Sequence, residues 1–304
     1  MKTTLLAPSA SPGLSIGTPA PSRSALETLR VSLAVAALVY LGYIFTSVRI
    51  EETLRMGLAS LLFGTIVLGV TTRRARLVWP VICVTLAMGL VARPLDMPNH
   101  HWMVTYLAAV ISIATLWTRD PAAQVEALRA SARWLLVVLM GFATVQQLLS
   151  PDFMDGSYIG FELIRGGFAG PVLELIPAIG SVIGPNAEAA QHFHETPPAD
   201  LAAITLASPF PGFATAAYTI TALTLLMEAW LCLGMWAFPK RRITHLSLIL
   251  FIVTLAVIRQ EVTFISVVCV VGLLACTPEQ RWLRWTYIGL AVVTAAAVLK
   301  TLSL

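Results

Sequence analysis

Near-continuous apolar runs of about 16 to 25 residues recur from Val31 almost to the C-terminus, with most of the charge in the short stretches between them. Each run is long enough to cross the ~30 Å hydrocarbon layer as a helix. A bilayer offers the backbone no water, so each segment must satisfy its own N–H and C=O groups. The expected fold is therefore an all-α, polytopic integral membrane helix bundle. Composition agrees: 57% of the 304 residues are hydrophobic and 12% charged, against roughly 25% charged in soluble domains. Length alone would suggest about two domains, but the hydropathy argues for one transmembrane domain over 25–304. The Pro-, Ser- and Thr-rich residues 1–24 read as a disordered tail and not as a cleaved signal peptide, because no apolar core follows Lys2 directly.

Nine spans are expected, at 28–48, 53–72, 77–92, 100–118, 134–150, 213–238, 243–258, 262–276 and 284–302. With the N-terminus cytoplasmic and the C-terminus outside, fourteen of the twenty Lys and Arg fall on the inner side. Among them are Arg73, Arg74, Arg76, Arg119 and the "KRR" at 240–242, whereas Arg49, Arg55, Arg93, Arg165, Arg259 and Lys300 fall outside. Cytoplasmic loops carry this excess, and removing one span from the middle would put "KRR" outside. Residues 118–133 read as a separate interfacial helix, capped by Asp120 with Pro121 at its first position. Residues 151–212 are broken by Gly and Pro, and read as one or two short helices dipping into the outer leaflet, then a loop through "HFHETPPAD". This outer-face region is expected to cap the bundle.

The net charge of +4 lies in short loops and does not imply nucleic-acid binding. Cys83, Cys232, Cys269 and Cys276 fall in apolar segments without a CxxC pair, so neither a disulfide framework nor a metal site is expected. No Walker loop, nucleophile elbow, HExxH or DDxxD motif appears.

Polar groups concentrate in "RPLDMPNHHW", 93–102, at the outer turn before the fourth span. One reading is an ordinary interfacial turn, with Asn99 as a helix cap and Trp102 in an aromatic belt. The other points Arg93, Asp96, Asn99 and His100 into a polar cavity, where intramembrane ionisable groups usually have a function and histidine suits proton transfer. Glu228, inside the sixth span, is a functional acid or a structural hydrogen-bond partner. "HFHE", 192–195, reads more simply as solvated loop than as a metal site, and Arg259 with Glu261 reads as a solvated pair. Trp117, Trp134, Phe142, Phe161, Phe213, Tyr218 and Trp230 are packing or belt residues, of which a minority could face a cation through their rings.

Three stretches in order resemble the vitamin K-dependent γ-carboxylase superfamily and its bacterial HTTM-like relatives. "PNHHW" is similar to an Asn-His-aromatic-Trp motif that opens a span. "RWLLVVLMGFATVQQLLSPDFMDGSYI" resembles the next span, which in that family ends in a catalytic lysine. "FIVTLAVIRQEVTFISVVCVVGLLACTPEQRWLR", with Phe264, resembles the late hairpin. Here Gln147, or Leu148 without a gap, stands in the lysine's place, and the chain's three lysines, Lys2, Lys240 and Lys300, are elsewhere. Ile252 falls where the late hairpin often has a histidine. Epoxidation and carboxylation are therefore not expected.

What the resemblance implies is a lipid-accessible cavity near the outer leaflet and an isoprenoid substrate. The leading expectation is a terpene cyclase in which Asp96, Asn99, His100 and Glu228 are catalytic. Arg93, His101, Trp102, Gln147, Arg259, Glu261 and Phe264 would contact the substrate. Mg²⁺ would enter only with a prenyl diphosphate, held by Arg93 and Arg259. Such diphosphates are cytosolic while the cluster is placed outside, and initiation by protonation avoids that conflict. Two alternatives stay open: a non-enzymatic lipid-binding or accessory protein, and a lysine-independent quinone or lipid modification.

Overall fold

The computed structural model of the protein describes residues 23–46, 52–68, 73–92, 99–195, 205–258 and 261–301. Among them there are helices and no strands. Five long helices come first: α1 (Arg23–Thr46), α2 (Glu52–Leu68), α3 (Arg73–Ala92), α4 (Asn99–Trp117) and α5 (Pro121–Leu148). Four elements follow, α6 (Pro151–Met154), α7 (Ser157–Ile164), α8 (Gly170–Leu173) and α9 (Pro177–Glu195). The chain then returns to long helices in α10 (Phe213–Ala237), α11 (Arg242–Ile258), α12 (Val262–Ala275) and α13 (Arg281–Thr301). Each of the nine apolar segments thus holds a helix, and α1 begins inside the stretch expected as tail.

Among the described residues, three helical stretches are long and apolar enough to cross a membrane: Ser24–Phe45, Pro121–Leu148 and Phe213–Ala237. The outside of the bundle is also apolar. Val84, Met88 and Val91 on α3 and Leu223, Leu226 and Leu233 on α10 are all exposed, a surface that lipid solvates and water does not.

α12 is the axis of the bundle. Every residue from Ile265 to Ala275 is buried, as expected of a helix that is apolar all round. α1, α5, α11 and α13 pack around it. On the far side of α1, the Tyr40 hydroxyl donates to the Val104 carbonyl at 2.5 Å, and its ring meets Trp79 edge-on with centroids 5.4 Å apart. These two contacts join α1 to α4 and α3. In the half of α5 away from the cap, Arg133 donates to the carbonyls of Met235 (2.9 Å) and Trp236 (2.6 Å) in the last turn of α10. Arg129 donates to the Cys276 carbonyl just past α12. Guanidinium groups here satisfy orphan carbonyls and complement the negative ends of two helices.

The structure corrects two expectations. Residues 118–133 are not a separate interfacial helix. Asp120 does cap, accepting from Ala122 and Ala123 at 3.1 and 3.2 Å, with Pro121 in the first turn. The helix it starts runs unbroken for 28 residues to Leu148, about 42 Å at 1.5 Å per residue. Its buried positions Pro121, Gln124, Leu128, Ala132, Leu136 and Met140 form one stripe through the supposed boundary, and nothing at Arg133 or Trp134 breaks the backbone.

The second correction concerns the cap. "HFHE" closes the 19-residue helix α9 and is not in a loop; residues 196–204 lie outside the described residues. Pro177 occupies the first position of α9, where its missing N–H has no intrahelical partner to lose, and "AEAAQ" at 187–191 propagates the helix. The cap has its own small core of Phe153, Ile159, Leu163, Phe168 and Phe213, so it docks on the start of α10. Gly156 makes that docking possible. Its φ is +82°, and a Cβ there would lie 2.9 Å from the Tyr218 Cα. Beside it, hydrogen bonds from Ser157 hold the Asp155 carboxyl below the usual carboxylate range.

Candidate functional site

The starts of α4 and α12 and the ends of α5 and α11 lie at the end of the bundle that carries the cap, and a cavity of about 800 Å³ opens among them and α10. That volume is near the upper end of the ~300–1,000 Å³ typical of small-molecule sites. Its walls are mostly apolar: Met103 from α4, Leu135, Val138 and Leu139 from α5, Phe251 and Leu255 from α11. Into this setting come His100, Gln146, Gln147, Glu228 and Glu261, with the aromatic side chains of Trp102, Tyr106, Trp134, Phe142 and Phe264.

Six of the residues expected from sequence to be catalytic or to contact the substrate line this cavity: His100, Trp102, Gln147, Glu228, Glu261 and Phe264. They come from four helices and are spread over more than half of the chain. Glu228 is buried, midway along α10. The His100 Nε2 and Gln147 Oε1 atoms are buried and have no hydrogen-bond partner among the described residues. Gln147 therefore presents an amide to the cavity.

His101 is the exception. Successive residues on a helix point about 100° apart, so the histidine pair cannot face one way. His101 is fully buried between α1 and α3, with Nε2 3.1 Å from the Leu86 carbonyl and Nδ1 2.6 Å from the Tyr43 hydroxyl. A carbonyl only accepts, so Nε2 carries the proton and Nδ1 accepts from Tyr43. Both nitrogens are used in packing, and the expected substrate contact by His101 is replaced by a structural role. Tyr43 also meets the His100 ring edge-on, with centroids 5.8 Å apart, so one tyrosine positions both histidines.

Arg93, Asp96 and Arg259 lie outside the described residues, and Asn99 is described only as the first residue of α4. The polar cluster in "RPLDMPNHHW" is accordingly placed only at its His-His-Trp end. Among the described residues no three His, Cys, Asp or Glu side chains group as metal ligands. Among the described residues, the carboxyl groups of Glu228 and Glu261 line the cavity, and Mg²⁺ bound through carboxylates also takes substrate phosphates.

Tyr106 was not anticipated from sequence, although it lies one turn below Trp102 on the same helical face. Of the aromatics considered as cation-facing, Trp134 and Phe142 line the cavity, spaced two turns apart on α5. Trp102, Tyr106, Trp134, Val138 and Phe142 are at the same time exposed on the bundle surface. The cavity therefore opens sideways, through the seam between α4 and α5. Comparison with protein-family models, with curated proteins and with solved structures finds no match to this chain.

Proposed function

We propose that this chain is a nine-span membrane protein, N-terminus cytoplasmic and C-terminus outside, whose cavity in the outer half takes up an isoprenoid and cyclises it. The membrane part rests on a helix at each of the nine apolar segments, the apolar exterior and the inward bias of Lys and Arg. The observation that carries the functional part is the gathering of His100, Gln147, Glu228 and Glu261 among aromatic faces in one cavity. A resemblance to the γ-carboxylase superfamily in "PNHHW", the fifth span and the late hairpin belongs to the same proposal.

Cyclisation of a polyene needs a proton donor, a shaped apolar wall, shelter for a cation and a proton acceptor. Glu228, deep among apolar residues, gives a proton to the folded chain. The resulting cation is stabilised by the faces of Tyr106, Trp134, Phe142 and Phe264. His100, at the mouth, takes a proton back. One proton enters and one leaves, so the reaction needs no further reactant.

The test is a product profile. The chain is expressed in a host that overproduces prenyl precursors of several lengths, and membranes and headspace are analysed for hydrocarbons and terpene alcohols. A new cyclic product that disappears in Glu228→Gln and His100→Ala is expected. A well-folded protein that forms no product from any precursor overturns the cyclase reading. It would leave the second one, a non-enzymatic lipid-binding protein, which is favoured by the lack of any self-sufficient catalytic motif in the sequence.

A further inference from the structure

The formally charged groups among the described residues that line the cavity are acidic. Two carboxyl groups line it, from Glu228 and Glu261, and no Lys or Arg is among the described residues that do so. A diphosphate needs the opposite, cationic or metal neutralisation of a concentrated negative charge. Buried without it, the charge carries a large desolvation penalty.

The unmatched atoms call for something different. His100 Nε2 and Gln147 Oε1 are buried without a hydrogen-bond partner among the described residues. A neutral imidazole gives with one nitrogen and accepts with the other, and a carboxamide does both through O and N. The small neutral group that complements either side chain in either role is a hydroxyl, which donates one hydrogen bond and accepts two. Leaving such atoms unmatched costs free energy, so a ligand that supplies the match gains specificity there.

The route in has the same character. The side opening between α4 and α5 is rimmed by Trp102, Tyr106, Trp134, Val138 and Phe142, all exposed on an apolar surface. Trp and Tyr side chains favour the membrane–water interface, which brings lipid to this opening, and a molecule dissolved in lipid is neutral with a long apolar part.

We infer that the cavity's ligand is an uncharged lipid alcohol, an unsaturated apolar chain ending in a hydroxyl, which enters sideways from the bilayer and is held at its polar end by His100 and Gln147. The inference names the ligand class of the site proposed above and rests on that reading for its setting in a membrane.

The experiment uses the full chain in lipid nanodiscs and reads quenching of tryptophan fluorescence, with Trp102 and Trp134 at the rim as reporters. Farnesol, farnesyl diphosphate with and without Mg²⁺, and the hydrocarbon farnesene are titrated separately. Farnesol is expected to bind about tenfold more tightly than farnesene, and more tightly than the diphosphate under both conditions. His100→Leu and Gln147→Leu are each expected to lower farnesol affinity about tenfold while leaving farnesene unchanged, with melting temperature checked for both. Equal or tighter binding of the diphosphate overturns the inference. So does equal binding of farnesene, or no binding of any probe to the wild-type chain. Turnover is not read in this assay, so its outcome is independent of the product profile. A chain that cyclises a diphosphate and shows no preference for the alcohol keeps the enzyme reading and loses this one. A chain that binds farnesol selectively and yields no product does the reverse.

Discussion

The Tyr43 hydroxyl and the Nδ1 of His101 lie 2.6 Å apart in the buried contact between α1 and α4, while the other nitrogen of that imidazole reaches the Leu86 carbonyl on α3. Three helices thus meet on one fully satisfied ring. Tyr43→Phe leaves Nδ1 as a buried acceptor without a donor, and the expected cost is about 1–3 kcal/mol of stability. His101→Leu removes both hydrogen bonds and leaves the buried Tyr43 hydroxyl without its acceptor, and so costs more. In the double variant the Tyr43→Phe cost is expected to shrink, because its partner is already gone. Thermal melts of the four proteins in one detergent measure the coupling, and strict additivity would mean that the contact contributes nothing.

Gly272 on α12 faces the ring of Tyr287 on α13 so closely that a Cβ would come within 2.5 Å of Tyr287 Cε1. The ring cannot simply swing away, because its hydroxyl donates to the His245 carbonyl at 3.2 Å. Gly272→Ala is therefore expected to destabilise by about 1–3 kcal/mol through overpacking, despite the better helix propensity of alanine. Adding Tyr287→Leu should recover part of the loss. If Gly272→Ala alone raised the melting temperature, the tight α12–α13 contact would be refuted.

How much of this was legible in the sequence follows from what each signal reports. Apolar runs report burial or lipid contact over a whole helix, and a helix is found at each of the nine. Hydropathy does not report backbone breaks, so the polar first half of α5 reads as a separate helix although Leu128, Ala132, Leu136 and Met140 carry one buried stripe across the join. Counting Pro and Gly as breakers hides α9 in the same way, since Pro177 stands at its start and Pro185 is accommodated inside it. At the cavity, residue chemistry is visible and direction is not. "HHW" shows that two imidazoles lie side by side, and helical geometry shows that only one of them can face a given cavity. That His100 is the one depends on Tyr43 and Leu86, which lie 58 and 15 residues from His101. The convergence of Gln147, Glu228 and Glu261 is likewise tertiary: each ends up near the others only through the order in which α5, α10 and α12 pack.

Within the cap, the side chain of Asn186 is buried and pairs twice with the backbone of Ala207, donating to its carbonyl at 2.8 Å and accepting from its N–H at 2.9 Å. The carboxamide thereby ties α9 to the chain leading into α10. Asn186→Asp keeps the shape and loses the donor, setting a carboxylate oxygen against a carbonyl. The expected effect is a loss of about 1–3 kcal/mol and faster amide exchange at Ala207 without change at α12. Hydrogen exchange read by mass spectrometry over 205–212 tests this, and unchanged protection there would show that the pair does not hold the segment.

Glu228 decides between a chemical and a structural role for a buried carboxyl group in the cavity. Glutamine has the same length and nearly the same volume, and it retains one oxygen acceptor while replacing the other oxygen with a donor. If Glu228 served only as a packing partner, Glu228→Gln would leave product formation within about twofold of wild type. In the proposed cyclisation the residue must release a proton, which a carboxamide cannot do near neutral pH. Removing a positioned acid typically costs about 10²–10⁴ in rate, so product is expected to fall by at least about 10²-fold while the melting temperature moves little. Glu261→Gln serves as the comparison, because that carboxyl lines the same cavity from the start of α12 without being assigned the proton. Its product yield is expected to stay within a few fold of wild type. If Glu261→Gln abolished product and Glu228→Gln did not, the acid would have to be moved to the start of α12, and the direction in which the chain folds across the aromatic side chains would change.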